Sequence, residues 1–170
     1  YSQFGCAVGT DPIVDEPDLR ELTVVVMPLP GGEFYHFGTS REMISSTLAI
    51  QNIVNDQREI KHYGHKPHPS IFIQNAKVDI PVKAENTNLW VENSFVGKHW
   101  KISHDNVITG VPENDWHITL AEGQCVDVVP IDDNNYVLRP YRIDDRFAGQ
   151  QQQTKIFPVV NGSPETREAM

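Results

Sequence analysis

The stretch IFIQNAKV at residues 71–78 recurs eighteen residues later as LWVENSFV at residues 89–96. Equivalent positions share size or polarity: Phe72 corresponds to Trp90, Ile73 to Val91, and Asn75 to Asn93. A third copy, VITGV at 107–111, fits one residue short, and a fourth, CVDVV at 125–129, follows about one coil later. A repeat at a fixed interval dictates architecture, because each copy forms the same structural unit.

Eighteen residues are three times six, the period of hexapeptide parallel β-helices. In such a coil each short strand stacks on its equivalent in the next coil, and the stacked apolar positions form one continuous core. The inward positions are β-branched, as a pleated surface favours; they are Ile73, Val91 and Ile108. The corner positions tolerate a left-handed backbone; they are Asn75, Asn93 and Gly110. The sequence therefore predicts a mainly β fold with a parallel β-helix, in preference to an antiparallel sandwich with a chance repeat.

Two apolar runs before the repeat predict a pair of strands joined by a tight turn. LTVVVMPL at 22–29 and EFYHF at 33–37 flank Pro30-Gly31-Gly32, which is strong turn punctuation. Neither run fits the eighteen-residue period, so we expect both to belong to the sheet of another domain.

A capping box follows these runs, with Thr39 as N-cap and Glu42 three residues later. It opens a helix predicted from Ser40 to about Glu59, apolar on one side. Beyond the linker that follows this helix, the β-helix is predicted to contain an insertion-like loop at 111–116 that projects from one face. A turn at 132–135 and one last strand near 136–139 end the pattern.

The composition excludes several classes of partner. With 14 basic and 23 acidic residues, the net charge of −9 argues against nucleic acid and against acidic membrane surfaces. No apolar stretch approaches the roughly 20 residues of a membrane span. Two cysteines, Cys6 and Cys125, cannot form a disulfide framework, and no secretory leader is visible, so we expect a cytoplasmic protein.

Few residues suggest chemistry by their spacing alone. His62, His65 and His68 lie three apart, but Gly and Pro surround them and no acid or cysteine joins them, so an exposed linker is the preferred interpretation. The acids Glu113 and Asp115 are expected to be solvated. The three tryptophans are expected to pack in or beside the coil. No phosphate-binding loop or hydrolase motif is present. The residues predict no metal site and no self-sufficient active site.

Three segments resemble one family. PLPGGEFYHFGTSREMISSTL at 28–48, FIQNA at 72–76 and VITGVPENDW at 107–116 are similar to the GDP-L-fucose pyrophosphorylases, or fucose-1-phosphate guanylyltransferases, which some bacteria and plants fuse to L-fucokinase. The resemblance implies a left-handed hexapeptide-type β-helix behind a transferase domain. It implies a cytoplasmic L-fucose salvage enzyme that makes GDP-L-fucose from L-fucose 1-phosphate and GTP with Mg²⁺, and possible homo-oligomers through the β-helix.

The resemblance also implies that this chain is a fragment, because the family's glycine-rich nucleotide loop and its kinase half are not in the sequence. The expected parts are the end of the transferase domain (1–60), a linker (61–69), the β-helix (70–147) and a poorly ordered or discontinuous tail (148–170). No cofactor is expected to bind this fragment, and the fragment alone is expected to be inactive.

The resemblance suggests substrate-binding residues but no catalytic ones. The wider superfamily often carries Asp-x-Gly-Thr near the sugar phosphate, and here the element is His36-Phe37-Gly38-Thr39. His36, Gly38 and Thr39 are therefore the expected sugar-phosphate contacts. Packing is an equal alternative for His36, and imidazole is a poor ligand for Mg²⁺. A purely structural β-helix remains an alternative function, as does a hexapeptide acyltransferase that uses His99, His104 or His117.

Overall fold

The computed structural model describes residues 2–54, 68–146 and 157–161, and the chain divides into two compact units after Phe34. In the first unit, helix α1 spans Ser2–Ala7 and a 3₁₀ turn spans Pro17–Leu19. The predicted tight turn is present, because the Gly32 N–H donates to the Leu29 carbonyl at 3.0 Å.

The two strands predicted at 22–29 and 33–37 are not formed, so this part of the prediction is wrong. The apolar side chains of the first run lie in solvent, with Val26 87% and Leu29 84% exposed. A strand needs a neighbour for its backbone groups, and a two-stranded hairpin without a further strand or a helix against it is marginal at best. Apolar composition predicted the tendency to form strands, but no partner strand pairs with these runs among the described residues.

The second unit begins with the predicted helix. Helix α2 spans Ser40–Val54, and its predicted extension to Glu59 lies outside the described residues. Thr39 is the N-cap: its Oγ1 accepts from the Glu42 N–H at 3.2 Å, and its carbonyl accepts from the Met43 N–H at 3.0 Å. Thr39 is thus confirmed as the N-cap, and the Gly38 backbone donates to the Glu42 carboxylate.

A β-solenoid of about three turns follows, as the repeat predicted. Its main sheet has the order β1-β3-β6-β8-β9-β10, and two small parallel sheets, β2-β4 and β5-β7, form the other sides. The strands are β1 Ile71–Gln74, β2 Lys77–Val78, β3 Leu89–Glu92, β4 Phe95–Val96, β5 Lys101–Ile102, β6 Asn106–Thr109, β7 Thr119–Leu120, β8 Gln124–Asp132, β9 Asn135–Arg142 and β10 Val159–Asn161. The handedness of the coil and its hexapeptide type stay predictions.

The register of the main sheet reproduces the sequence repeat. Phe72 pairs with Trp90 across β1 and β3, and Trp90 pairs with Val107 across β3 and β6, all in parallel. Ile108 then pairs with Val126, which restores the eighteen-residue interval after the coil that is one residue short. The residue-by-residue alignment of the copies is therefore confirmed.

Alternate side chains of the main sheet build two cores, one inside the coil and one outside it. The inner cluster includes Val91 and Ile108, both 0% exposed, while Ile73 on the first coil remains 42% exposed. The outer cluster joins the second column of the sheet to Ile44 of α2; that column is Phe72, Trp90, Val107 and Cys125. Helix α2 therefore packs on the outer face of the solenoid through Met43, Ile44 and Leu48, while Ile50 and Ile53 stay exposed.

The predicted corners adopt the left-handed conformation, with φ of 45° at Asn75, 48° at Asn93 and 67° at Gly110. An alanine at Gly110 would place its Cβ 2.4 Å from the Val128 carbonyl oxygen, so this corner has no room for a side chain. A second column of left-handed residues was not predicted; it consists of Asn88, Asp105 and Gly123.

The loop at 111–116 is not an insertion, which corrects that prediction. The coil that contains it has the same eighteen-residue length as the first coil, as the pairing of Ile108 with Val126 shows. Val111 and Trp116 at its ends are 2% and 3% exposed, so the segment forms the wall of the coil. The Asn114 side-chain carbonyl accepts from the Trp116 N–H at 2.9 Å and holds the bend.

The parallel stacking ends in an antiparallel hairpin of β8 and β9, and β10 pairs antiparallel with β9. The predicted turn at 132–135 is confirmed, since Asp132 Oδ1 accepts from the Asn134 N–H at 2.8 Å. The predicted strand near 136–139 is β9. Strand β10 lies in the predicted tail, of which only residues 157–161 are described, and the predicted linker is outside the described ranges up to residue 67. No helix in the described residues is long and apolar enough to cross a membrane.

Candidate functional site

The predicted site residues lie at the start of helix α2. The His36 ring folds over Gly38, because a Cβ at that glycine would lie 2.1 Å from the His36 Cε1 atom. His36 Nδ1 is 3.1 Å from Glu42 Oε2, and the His36 carbonyl accepts from the Ser46 hydroxyl at 2.6 Å. The segment before the helix is thus fixed against its first two turns.

Glu42 occupies the positive end of the helix. Partial desolvation acts to raise the pKa of Glu42, but hydrogen bonds from His36, Thr39 and the Gly38 backbone outweigh it and hold the pKa below its usual value. An ionised carboxylate at this position is stabilised by the helix dipole. The protein therefore already places one anion where we expected a sugar phosphate, and an incoming phosphate would have to bind beside Glu42 or displace it.

A cleft of about 440 Å³ borders the helix start. Gly38 and Thr39 line it, whereas the His36 side chain, 60% exposed, is not among its lining residues. The rest of the lining comes from the helix and the residues before it, from β9, and from the segment after β9; it consists of Phe37, Ser40, Met43, Arg139, Tyr141 and Asp145. The structure thus combines two of the three predicted residues with an arginine and a tyrosine that sequence analysis missed.

The hairpin places Arg139 and Tyr141 beside the helix. Opposite residues of β8 and β9 share a face, so Tyr141 extends the outer column at Cys125 and Arg139 lies across from Asp127. Arg139 Nε donates to Asp127 Oδ2 at 3.0 Å, and Thr109 Oγ1 donates to Asp127 Oδ1 at 2.7 Å. The Arg139 guanidinium lies 5.5 Å from the centre of the Tyr141 ring.

This cleft combines a guanidinium, an acid and apolar surface. The Arg139 guanidinium is paired with Asp127 through two nitrogens and is the cation of the cleft, while the Tyr141 ring and Met43 offer apolar surface. Burial raises the pKa of Tyr141, so its hydroxyl is protonated at neutral pH. No pair of side chains lining the cleft forms a nucleophile and base, and the catalytic residues stay unknown.

A larger cavity, about 500 Å³, lies where β7 meets the terminal hairpin and contains none of the predicted site residues. Cys125 is among its lining residues. Burial raises the pKa of this thiol to about 12, so it is not a thiolate at neutral pH. The cavity therefore offers no nucleophile through its cysteine.

None of the other described residues singled out from the sequence lines the cleft at the start of α2. His68 Nδ1 lies 2.9 Å from Ser70 Oγ, while His62 and His65 are outside the described residues. Glu113 and Asp115 are exposed, as expected. The three tryptophans are buried, as expected; they are Trp90, Trp100 and Trp116. His99 and His117, eighteen positions apart, stack on successive coils with ring centres 4.2 Å apart.

A charged group around Arg41 was not predicted. Arg41 binds Asp144 through two nitrogens, at 2.6 and 2.9 Å, and donates to Asp105 Oδ1 at 2.5 Å. The Asp144 hydrogen bonds raise the pKa of Arg41 and lower that of Asp144. This group ties helix α2 to a coil corner and to the residues after β9.

His104 and Glu122 adjoin this group. His104 Nδ1 is 2.6 Å from Asp105 Oδ2, and this hydrogen bond raises the pKa of His104. Burial alone would raise the pKa of Asp105, but hydrogen bonds from His104, Asn88 and Arg41 lower it below its usual value. The signal for this cluster was in the sequence: His104 and Glu122 are eighteen residues apart, one coil interval.

Comparison with known proteins supports the resemblance that the sequence motifs predicted. Over 155 residues, 91% of this chain, the sequence is 54% identical to a bacterial protein. That protein is the L-fucokinase/L-fucose-1-P guanylyltransferase of Bacteroides fragilis. The chain spans only 16% of the length of this relative. No protein-family model matches the chain, and no solved structure matches it.

Proposed function

We propose that this chain is part of a fucose-1-phosphate guanylyltransferase that makes GDP-L-fucose and pyrophosphate from L-fucose 1-phosphate and GTP, with Mg²⁺ as cofactor. The observation that carries the proposal is the 54% identity over nearly the whole chain to a relative whose name includes this activity. The solenoid and the cleft at the start of α2 agree with the segment that the motifs predicted.

Within that enzyme, the segment contributes one wall of the sugar-phosphate site. The cleft at Gly38 and Thr39 has an arginine and an apolar floor, which suits a deoxy sugar that carries one phosphate. Because Glu42 already caps the helix, Arg139 is the better phosphate contact of the cleft. The nucleotide and its Mg²⁺ bind to parts of the enzyme outside this chain. The solenoid also provides the assembly surface for homo-oligomers, and the enzyme is cytoplasmic.

Purified intact enzyme, incubated with L-fucose 1-phosphate, GTP and Mg²⁺, is expected to release pyrophosphate and form GDP-L-fucose. The 170-residue chain alone is expected to give no pyrophosphate above background, because it has no glycine-rich loop to hold a triphosphate. Absence of GDP-L-fucose formation by the intact enzyme contradicts the proposal. Turnover by the 170-residue chain alone contradicts our placement of the nucleotide.

Substitutions at the cleft separate binding from packing. In the intact enzyme, Arg139→Met is expected to raise KM for L-fucose 1-phosphate more than KM for GTP. His36→Ala is expected to act in the same direction but less, because the His36 side chain does not line the cleft. Arg142→Met, on the same strand but outside this cleft, is the matched control and should leave both constants unchanged. A variant that lowers the melting temperature and leaves both KM values unchanged shows that its residue only packs.

The alternatives from the sequence are weaker. A purely structural solenoid does not account for a cleft with a guanidinium beside the helix start. For an acyltransferase, no observation favours the coil histidines as catalytic, since His99 stacks on His117 and His104 binds Asp105.

A further inference from the structure

The imidazole of His104 lies between two carboxylates on one edge of the solenoid. Its Nδ1 is 2.6 Å from Asp105 Oδ2, and its Nε2 is 3.7 Å from Glu122 Oε2. A neutral imidazole has one N–H donor and one acceptor nitrogen, and its hydrogen-bond partner sets which is which. The short contact to Asp105 places the proton on Nδ1 and leaves the lone pair of Nε2 on the side of Glu122.

We propose that His104 Nε2 and the Glu122 carboxylate bind a divalent transition-metal ion of the Zn²⁺ class, with Asp105 orienting the imidazole. Zn²⁺ binds imidazole nitrogen and carboxylate oxygen at about 2.0–2.2 Å, so two ligand atoms of a tetrahedral shell lie roughly 3.3 Å apart. The observed 3.7 Å between Nε2 and Oε2 needs only a small movement of the exposed Glu122 side chain. Water completes the shell.

Hydrogen bonds hold both the backbone and the side chain of Asp105 in place, as the proposed role of orienting His104 requires. Its backbone is held in the left-handed conformation, with φ of 57°, by a hydrogen bond from its N–H to the Thr87 carbonyl at 2.9 Å. Its other oxygen, Oδ1, accepts from Arg41 at 2.5 Å and from Asn88 at 3.0 Å. Its side chain is only 11% exposed. A carboxylate that receives the second N–H of a ligating histidine fixes the ring orientation and raises ligand basicity.

The local charge favours a divalent cation. Arg41 contributes one positive charge, while Asp105, Asp144 and Glu122 each contribute a negative one. With His104 neutral, the group carries two negative charges in excess, which a divalent ion balances. The positive charge of Arg41 is itself paired, with Asp144 through two nitrogens and with Asp105 through a third.

The coil itself brings the two ligands together. His104 and Glu122 are eighteen residues apart, the interval that pairs Ile108 with Val126 in the same coil. Equivalent positions on successive coils are neighbours. A nitrogen–oxygen donor pair selects Zn²⁺-class ions over Mg²⁺, which prefers all-oxygen shells. The site therefore differs from the Mg²⁺ site proposed for the guanylyltransferase reaction.

The test is titration of chelator-treated intact protein with Zn²⁺ by calorimetry, in the presence of excess Mg²⁺. Wild type is expected to bind one more Zn²⁺ than either His104→Ala or Glu122→Gln. Asp105→Asn should weaken the same site by about 10- to 100-fold, the usual effect of losing an outer-shell partner. Binding should weaken as pH falls, because protons compete for Nε2.

His99→Ala is the matched control, because it removes an exposed coil histidine that stacks on His117 instead of facing a carboxylate. Its Zn²⁺ stoichiometry and affinity should equal those of wild type. Circular dichroism without metal checks that each variant folds. Equal Zn²⁺ binding by wild type and His104→Ala overturns the proposal, as does no binding to wild type. Loss in His104→Ala with unchanged affinity in Glu122→Gln also overturns it and leaves His104 and Glu122 as an ion pair.

Discussion

Truncation of Ile108 to alanine tests the stacked core, and Ile73 offers the same change at the open end of the same column. Ile108 is 0% exposed and lies between Val91 and Val126. Removing three carbons costs about 2.4 kcal/mol at about 0.8 kcal/mol per methylene, and the cavity left behind adds to this. We therefore expect a loss of about 3–4 kcal/mol of unfolding free energy for Ile108→Ala.

Ile73→Ala should cost less because Ile73 is already 42% exposed and its strand, among the described residues, pairs with one strand of the main sheet, β3. Scaling the transfer energy by the buried fraction gives about 1.4 kcal/mol, with no closed cavity to add. The two variants lose the same atoms, so the expected difference of about 2 kcal/mol between their losses of unfolding free energy reflects only how deeply each isoleucine is buried.

Urea unfolding followed by tryptophan fluorescence is the assay, since Trp90, Trp100 and Trp116 are all buried in the solenoid unit. Free energies come from linear extrapolation, with equal denaturant slopes as the condition for comparing variants. Equal losses for the two variants would show that Ile73 is buried in solution. A loss below about 1 kcal/mol for Ile108→Ala would refute the continuous core.

Three further predictions concern the corners and the charged group. Gly110→Ala should destabilise the protein more than Gly123→Ala, as measured in the same urea assay. Both positions have a positive φ, but only at Gly110 would the new Cβ lie 2.4 Å from a backbone oxygen. Arg41→Met should lower the unfolding free energy by about 1–2 kcal/mol in that assay, because the buried Asp105 carboxylate loses a charged partner. The loss is no larger because Arg41 is half-exposed and solvent weakens its ion pairs. The folded state raises the pKa of His104, so its stabilising effect is full below about pH 6.5 and disappears as pH rises through the folded value. Wild type should therefore exceed His104→Gln in melting temperature more at pH 5.5 than at pH 9, and an equal difference at both pH values would contradict this.

The sequence predicted the solenoid because residues one repeat apart in the chain become neighbours on adjacent coils. Once the copies at 71–78 and 89–96 are aligned, the strand register follows, and the copy one residue short keeps its place through the pairing of Trp90 with Val107. The corners were predictable for a different reason, since few residue types tolerate a positive φ. The periodicity of α2 predicted its buried side only in part, since Ile44, Met43 and Leu48 pack against the sheet while Ile50 is 40% exposed.

The wrong predictions share a cause, which is that they concern segments without a repeat. The runs at 22–29 and 33–37 have strand composition, but β structure depends on a partner that local sequence does not specify. The loop at 111–116 was predicted to be an insertion that projects from one face. In the structure two buried ends, Val111 and Trp116, keep it within the wall of the coil.

The cleft could be predicted only in part. Gly38 and Thr39 were found through a motif at a helix start, which is local in sequence. Arg139 and Tyr141 reach the same place through a hairpin that reverses the chain and pairs them with Asp127 and Cys125. No periodicity signals that reversal, so these residues could not be assigned to the cleft before the strand pairing was known.

The same interval that stacks the core also stacks the polar edge of the coil, and this has a functional consequence. Thr109 bonds to Asp127 and Asn75 bonds to Asn93, each across eighteen residues, and His104 faces Glu122 across the same interval. A solenoid therefore brings polar side chains together without a special loop, and one substitution in a coil can create a pair. The packed apolar columns do not include His104 or Glu122, so such positions on the edge can acquire binding chemistry while the core stays constant.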